Sequence, residues 1–293
     1  MLKNITINEQ PIKIRRALIS VYDKTNIEKL ARSLVDNGAE IITTGGTSET
    51  LSNSNIPIID INEFTGFPEM MNGRVKTLNP NIAGGILGLR DIHEADIVDN
   101  NIKTIDLVVC NLYPFVEAIL KKECTLANAL ENIDIGGPTM IRSAAKNVGW
   151  ACVIVDPMDY TLLIEQIDKG GNISYDFRNK MSRKAFSLTA QYDASIDKYL
   201  SNDMLPDTLN LSFNKFQDLR YGENPQQKSS VYLDNSSHHG ILNSQIHQGK
   251  KLSYNNIMDA DAAVSCITEF EKPACVVIKL SLIHISEPTR RDQ

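Results

Sequence analysis

The sequence predicts an α/β protein, a parallel sheet flanked by helices, followed by a fragment of a second α/β domain. Three observations predict it. Short apolar runs of strand length alternate with amphipathic segments of helical spacing through the first two hundred residues. Glycine-rich turns stand where the predicted strands hand over to helices, the place where open α/β sheets bind ligands. A polar stretch, Ser201–Leu211, separates this pattern from a shorter one downstream and reads as a domain boundary.

Ala17–Val21 is the first strand, and Ile27–Asn37 is a helix with Ile27, Leu30, Ala31, Leu34 and Val35 at helical spacing. Asn37-Gly38 supplies its stop. Glu40–Thr44 is the second strand, Gly45-Gly46-Thr47 a turn, Ser48–Ser52 a short helix and Ile56–Ile61 the third strand. Asp106–Leu112 is a strongly apolar strand stopped by Pro114, which cannot donate to a ladder. Leu126–Ile133 is a helix, and Asp134–Thr139 is a second glycine-rich loop that opens the helix Met140–Asn147. Ala151–Val155 is a further strand, and Tyr160–Ile167 and Ser174–Leu200 are helices. The last of these, with Phe177, Met181, Ala185, Leu188 and Tyr192 at a spacing of three to four, is a covering helix with room for a break. Downstream, Ser230–Leu233 is a strand, Asp259–Phe270 a helix and Ala274–Ile278 a strand of buried type.

Composition narrows the function. With 293 residues the chain can hold two domains, and 42% hydrophobic with 23% charged residues is the balance of a soluble globular protein. A net charge of −6 gives no general attraction to nucleic acid or anionic membranes, so any phosphate must be held by local groups. The five cysteines form no Cys-x-x-Cys pair, and they suit reduced, mostly buried thiols better than disulfides or a zinc site. His238 and His239, adjacent in a serine-rich turn, make a poor metal site. No run reaches the roughly 20 apolar residues that span a bilayer, and a cytoplasmic protein without a membrane segment is expected.

Three segments carry chemistry. Ser20–Thr25 puts hydroxyls and the Lys24 ammonium where a helix begins, and Thr44–Thr47 adds glycines whose N–H groups can approach an anion. Either alone reads as ordinary N-capping by Ser or Thr; the two on adjacent strands also suit one phosphate. Thr65–Asn81, rich in Gly, Pro and Asn, is a long loop carrying Arg74, Lys76 and Thr77, an unexpected basic cluster in an acidic chain. Lys146 falls at the end of a predicted helix, where the dipole favours a cation.

In order along the chain stand Ser-Val-Tyr-Asp-Lys-Thr (from Ser20), Thr-Gly-Gly-Thr (Thr44) and Gly-Arg-Val-Lys-Thr-Leu-Asn-Pro (Gly73). They are followed by Cys-Asn-Leu-Tyr-Pro-Phe (Cys110), Asp-Ile-Gly-Gly-Pro-Thr (Asp134), Ala-Ala-Lys-Asn (Ala144) and Arg-Tyr-Gly-Glu-Asn-Pro (Arg220). Each is weak alone, but seven in this order are specific. Through them the sequence resembles the bifunctional purine-biosynthesis family that combines IMP cyclohydrolase with AICAR transformylase, over Ala17–Lys279. The resemblance implies a methylglyoxal-synthase-like domain at 1–205 that closes formyl-AICAR (FAICAR) to IMP with loss of water, without metal or cofactor. It implies that Ser20, Lys24, Thr25, Gly46 and Thr47 hold the nucleotide phosphate, and that Arg74, Lys76, Thr77, Tyr113, Asp134 and Lys146 surround the base. Thr44, Gly45, Cys110, Asn111, Gly136 and Gly137 complete the substrate contacts. Lys76 and Lys146 would act at the formyl and carboxamide oxygens, and Tyr113 and Asp134 would orient and move protons.

In the family a second domain transfers a formyl group from 10-formyltetrahydrofolate to AICAR, and Arg220, Tyr221 and Lys279 match its positions. Here 206–279 is only the start of such a domain, and Leu280 stands where the family has a catalytic histidine. The segment Leu280–Gln293 resembles a translated transposase sequencing adapter and is expected to be foreign, which would leave the transformylase inactive. The family is a homodimer largely through the part of this second domain that is missing here, so a dimer is not assumed for this chain. Two other readings fit the phosphate turns: a phosphate-ligand regulatory domain of the same fold, and methylglyoxal synthase itself. The lysine, tyrosine and aspartate set favours the cyclohydrolase.

Overall fold

The computed structural model describes residues 5–278, except Lys122, Asn202, Met204 and 235–239. The chain divides into two compact units with the boundary between Thr208 and Leu209.

The first unit begins with β1 (Ile12–Lys13) and β2 (Arg16–Val21), followed by α1 (Ile27–Asp36), β3 (Glu40–Thr43), α2 (Gly45–Asn53), β4 (Ile59–Asp60) and α3 (Ile61–Thr65). After a loop with one 3₁₀ turn, Met71–Gly73, come α4 (Pro80–Leu87), α5 (Glu94–Asp99), β5 (Leu107–Asn111), α6 (Phe115–Ile119) and α7 (Leu126–Glu131). The unit closes with α8 (Gly136–Lys146), β6 (Cys152–Ile154), α9 (Tyr160–Asp168), β7 (Asn172–Ile173) and the unbroken α10 (Tyr175–Leu200).

Among the described residues five strands form the central sheet, in the order β4-β3-β2-β5-β6 and all parallel. Strand alternation sorts their side chains into two cores. Ala17, Ile19, Ile41, Leu107, Val109 and Ile154 face α1 and α9. Leu18, Ile42, Val108, Cys110 and Val153 face α4, α8 and α10. Both faces are buried, which is why these strands read as continuous apolar runs. Register then places the functional edge: Ser20 pairs with Cys110 and Val21 with Asn111, beside Ile19 paired with Thr43.

Polar side chains tie this frame together. Asp106, fully buried, accepts from the Arg15 and Arg16 N–H groups at 2.7 and 2.9 Å and faces Arg90 Nη2 at 2.5 Å. Asn147 donates to the Ile86 and Gly88 carbonyls, joining the end of α8 to the end of α4. Arg178 on α10, 0% exposed, donates to the carbonyls of Asn8, Gln10, Val148, Gly149 and Ile173. One guanidinium thus staples three separate segments, and it leaves no donor direction for an apolar substitute to mimic.

In the second unit β8 (Asn214–Asp218) and β9 (Ser230–Leu233) form an antiparallel hairpin, and α11 (Tyr254–Ile267) starts with a Ser253/Asn256 capping box. No residue of α11 is buried. No helix among the described residues is long and apolar enough to cross a membrane.

Several expectations change. The third strand shrinks to Ile59–Asp60, because Pro57 offers no N–H and Asp60 turns to cap α3 through Asn62 N–H. Both glycine-rich turns are the first turns of helices, α2 and α8. The loop after α3 ends at Asn79, whose side chain accepts from Asn81 N–H and caps α4. Ala274–Ile278 forms no strand, and Val277 is 91% exposed, so it is not of buried type. Cys110 and Cys152 are buried, whereas Cys266 and Cys275 are exposed, so thiol burial holds for the first unit alone. Lys279, the 280–293 tail, His238 and His239 lie outside the described residues.

Arg178→Met is expected to destabilise the first unit by about 3 kcal/mol or more, because it orphans buried carbonyls. Glu40→Gln, which removes the exposed Arg16 partner, should cost under about 1 kcal/mol. Urea unfolding followed through the fluorescence of Trp150, the single tryptophan, measures both.

Candidate active site

A cavity of about 740 Å³ opens at the carboxyl edge of β2, β3 and β5, a size suited to a small-molecule ligand. Its wall brings together Ser20, Lys24, Thr44, Gly45, Gly46, Thr47, Arg74, Lys76, Thr77, Cys110, Asn111, Tyr113, Asp134, Gly136 and Gly137. Fifteen of the seventeen cyclohydrolase residues named from sequence therefore share one cavity.

One end is built on the start of α2. Thr44 is its N-cap, but the Thr44 hydroxyl is hydrogen-bonded to Ser20 Oγ at 2.9 Å, not to its own helix. Thr47 is likewise engaged, accepting from Val21 N–H and donating to the Val21 carbonyl, both at 3.1 Å. Gly45 and Gly46 line the cavity at a helix start that has no side-chain cap. Two ammonium groups stand over them: a Cβ on Gly45 would lie 3.3 Å from Lys76 Nζ, and one on Gly46 3.7 Å from Lys24 Nζ. Glycine keeps that approach open. N–H groups at a helix start with two cations form an anion site.

The other end is built on the start of α8, where the residue before the N-cap Ile135 supplies a carboxylate to the first turn. Asp134 Oδ1 accepts from Gly137 N–H at 2.8 Å, so this helix start already holds a carboxylate. A Cβ on Gly137 would come within 2.5 Å of Asp134 Oδ2, and one on Gly136 would overlap Thr77 Oγ1. Burial pushes the Asp134 carboxyl above its ordinary value, opposed by the Gly137 N–H, the Lys76 charge and the Gly136 N–H. Asp134 is thus a carboxyl raised by burial, with two N–H groups and the Lys76 charge opposing the rise.

Between the ends, Tyr113 stands edge-on to Tyr22 with ring centroids 4.7 Å apart. Arg74 forms a two-pronged pair with Glu131 at the exposed rim. That loop is strained, since Met71, Asn72 and Gly73 all have positive φ. Cys110 is buried, and burial with the nearby Asp134 charge pushes its thiol far up, so it contributes shape and not a thiolate. Lys76 has no ion-pair partner within 4 Å among the described residues. Among the same residues no group of three or more His, Cys, Asp or Glu is placed to hold a metal ion.

Two of the named residues fall outside the cavity lining, and a third lines it with its amide already engaged. Lys146 is exposed at the far end of α8 and does not line the cavity. Ten residues of helix put it about 15 Å along the axis from Gly136. Thr25 is turned to Asp23, whose carboxyl accepts its N–H at 2.9 Å, and is also outside the lining. Asn111 lines the cavity, but its amide accepts from the Tyr22 and Asp23 N–H groups and donates to the Asp23 carbonyl. It shapes the loop that carries Lys24. Tyr22 and Glu131 were missed, and no spacing rule points to either, because their partners Tyr113 and Arg74 are 91 and 57 residues away.

In the second unit Arg220 lies over the Tyr221 ring at 4.8 Å and donates to its hydroxyl at 3.1 Å. Ser253 first and Arg220 second hold that phenol below its ordinary value.

Residues 26–139 match the family model of the MGS-like domain, which takes in the cavity wall from Thr44 to Gly137. Residues 144–282 match the model of the AICARFT/IMPCHase bienzyme. A solved structure described as "Crystal structure of ForH" is 32% identical with a TM-score of 0.57, and the similarity covers 64% of this chain and 100% of that one. The chain belongs to the AICARFT/IMPCHase bienzyme family of purine biosynthesis, with an MGS-like domain as its amino-terminal part.

Proposed function

We propose that the first unit is an IMP cyclohydrolase, which closes FAICAR to IMP. The observation that carries the reading is a cavity with two chemically different ends. Two ammonium groups and an uncapped helix start stand at one end, and a half-buried carboxylate under the influence of Lys76 at the other.

The substrate phosphate belongs at the start of α2, held by the Gly45 and Gly46 N–H groups, Lys24 and Ser20. The base then extends toward Asp134. In the closure the carboxamide nitrogen bonds to the formyl carbon, and the formyl oxygen takes up one carboxamide proton. The resulting hydroxyl leaves as water together with the formamide N–H proton, which creates the ring C=N bond. Lys76, on its flexible stem, stabilises the developing oxyanion. Asp134 accepts the carboxamide proton, and Tyr113 passes a proton to the departing hydroxyl. Arg74 orients the base from the rim once Glu131 yields it. The reaction balances as an internal condensation, and the reading assigns it no cofactor.

A regulatory phosphate-binding domain would use the α2 end alone and gives Asp134 no task. Methylglyoxal synthase would act on dihydroxyacetone phosphate. Incubating the full chain with FAICAR and, separately, with dihydroxyacetone phosphate decides among the three. IMP absorbance from the first and no methylglyoxal from the second is the expected outcome.

Lys76→Ala should lower kcat for closure by about 10²- to 10³-fold, the usual loss for an oxyanion donor. The pH profile should fall on its acid side at a higher pH than an ordinary Asp carboxyl would give, since the Asp134 base must be ionised and its pKa is raised. That limb should vanish in Asp134→Asn, with about a 10²-fold loss of rate. Lys24→Ala should raise KM about tenfold while kcat changes less than about threefold, because phosphate binding is the same in ground and transition states. A loss confined to kcat would remove Lys24 from the phosphate end.

A further inference from the structure

Beyond the residues on the cavity wall, one buried side chain touches two of the proposed catalytic segments at once. We propose that Tyr192 is a positioning residue that fixes Asp134 through its main chain; the proposal rests on the cyclohydrolase reading. Tyr192 lies on α10, 9% exposed, and its hydroxyl oxygen accepts the Asp134 N–H at 2.7 Å. Its ring stands edge-on to Phe115 at 6.2 Å, two residues beyond Tyr113, in a small core of its own.

The bond matters because of what surrounds Asp134. The outer side of that residue opens on a second cavity of about 430 Å³ between the start of α8 and α10, which Tyr192 also lines. Beside that space, the bond from the Asp134 N–H to the Tyr192 hydroxyl ties the Asp134 main chain to α10. With the backbone held, Oδ1 reaches Gly137 N–H at 2.8 Å, one of the contacts that restrain the raised carboxyl pKa. Burial keeps the Tyr192 phenol protonated, so its oxygen stays a neutral acceptor.

Tyr192→Phe keeps the ring and its contact with Phe115 while deleting the acceptor. In the full chain it should lower kcat for FAICAR closure about tenfold with KM within about twofold, and move the acid limb to higher pH. Independently of turnover, the Asp134 carboxyl titrated by ¹³C NMR (assigned by its loss in Asp134→Asn) should show a higher midpoint in Tyr192→Phe. A lowered melting temperature with kcat, acid limb and carboxyl midpoint all unchanged would reduce Tyr192 to a core residue and overturn the proposal. If the unsubstituted chain fails to close FAICAR, the cyclohydrolase reading falls. The carboxyl midpoint then still decides whether Tyr192 positions Asp134.

Discussion

Two pairs of glycines, Gly45–Gly46 and Gly136–Gly137, set how closely the helix starts at the sheet edge approach the residues opposite them. A single methyl group at any of three of these positions would press on Lys76, Thr77 or Asp134. The cavity exists at its size because four side chains are absent from its wall. Yet the two starts are finished differently. Thr44, the residue that should cap α2, bonds to Ser20 on the neighbouring strand, whereas Asp134 supplies a carboxylate to the first turn of α8. Two similar sequence stretches thus give one open anion site and one already occupied by a carboxylate. That asymmetry, more than the inventory of residues, gives the site a direction.

The sheet was legible in the sequence because burial on both faces leaves long apolar runs, as in Ala17–Val21 and Leu107–Leu112, that few other structures explain. The cavity wall was legible for the same reason, since strand ends and the turns after them can be located once the strands are known. What failed was local. Pro80–Leu87 begins inside a stretch dense in Gly, Pro and Asn, and its two internal glycines argue against a helix; Asn79 capping and the Ile82 and Ile86 contacts with the sheet override that propensity. Ile56–Ile61 looked like a full strand because its apolar content does not record that Asp60 caps a helix.

Lys146 and Asn111 show a harder limit. Both sit in stretches that recur with the cavity residues, and both were placed at the substrate. For Lys146 helix rise decides: Gly136 and Lys146 share one rigid element, so one cannot line the cavity wall beside Asp134 while the other does. Asn111 is at the wall, but three hydrogen bonds to the Tyr22–Asp23 backbone commit its amide. Motif membership identifies a neighbourhood. Whether a side chain there faces the ligand or holds its neighbours depends on distances that only the folded chain supplies. The Ala-Ala-Lys-Asn motif illustrates the point, since Asn147 joins the end of α8 to the end of α4, away from the cavity lining.

On the cyclohydrolase reading, Asp134 carries two duties that pull against each other. At the helix start it is best ionised, because a negative charge near the N–H groups of a first turn is stabilised by about 0.3–1 kcal/mol. As a proton acceptor it must become protonated during the reaction, and then its bond to Gly137 weakens. Burial and the opposing Lys76 charge bring the two states closer in free energy than a solvent-exposed cap would allow. A cap on an exposed helix start fails as a base by keeping its low ordinary value, and a carboxyl buried without the Gly137 N–H fails the other way, because nothing there opposes its rise as that bond does. The half-buried position, with one N–H on one side and one ammonium on the other, lies between these failures. In this way the local rule that starts α8 and the proposed chemistry are one arrangement of the same three groups.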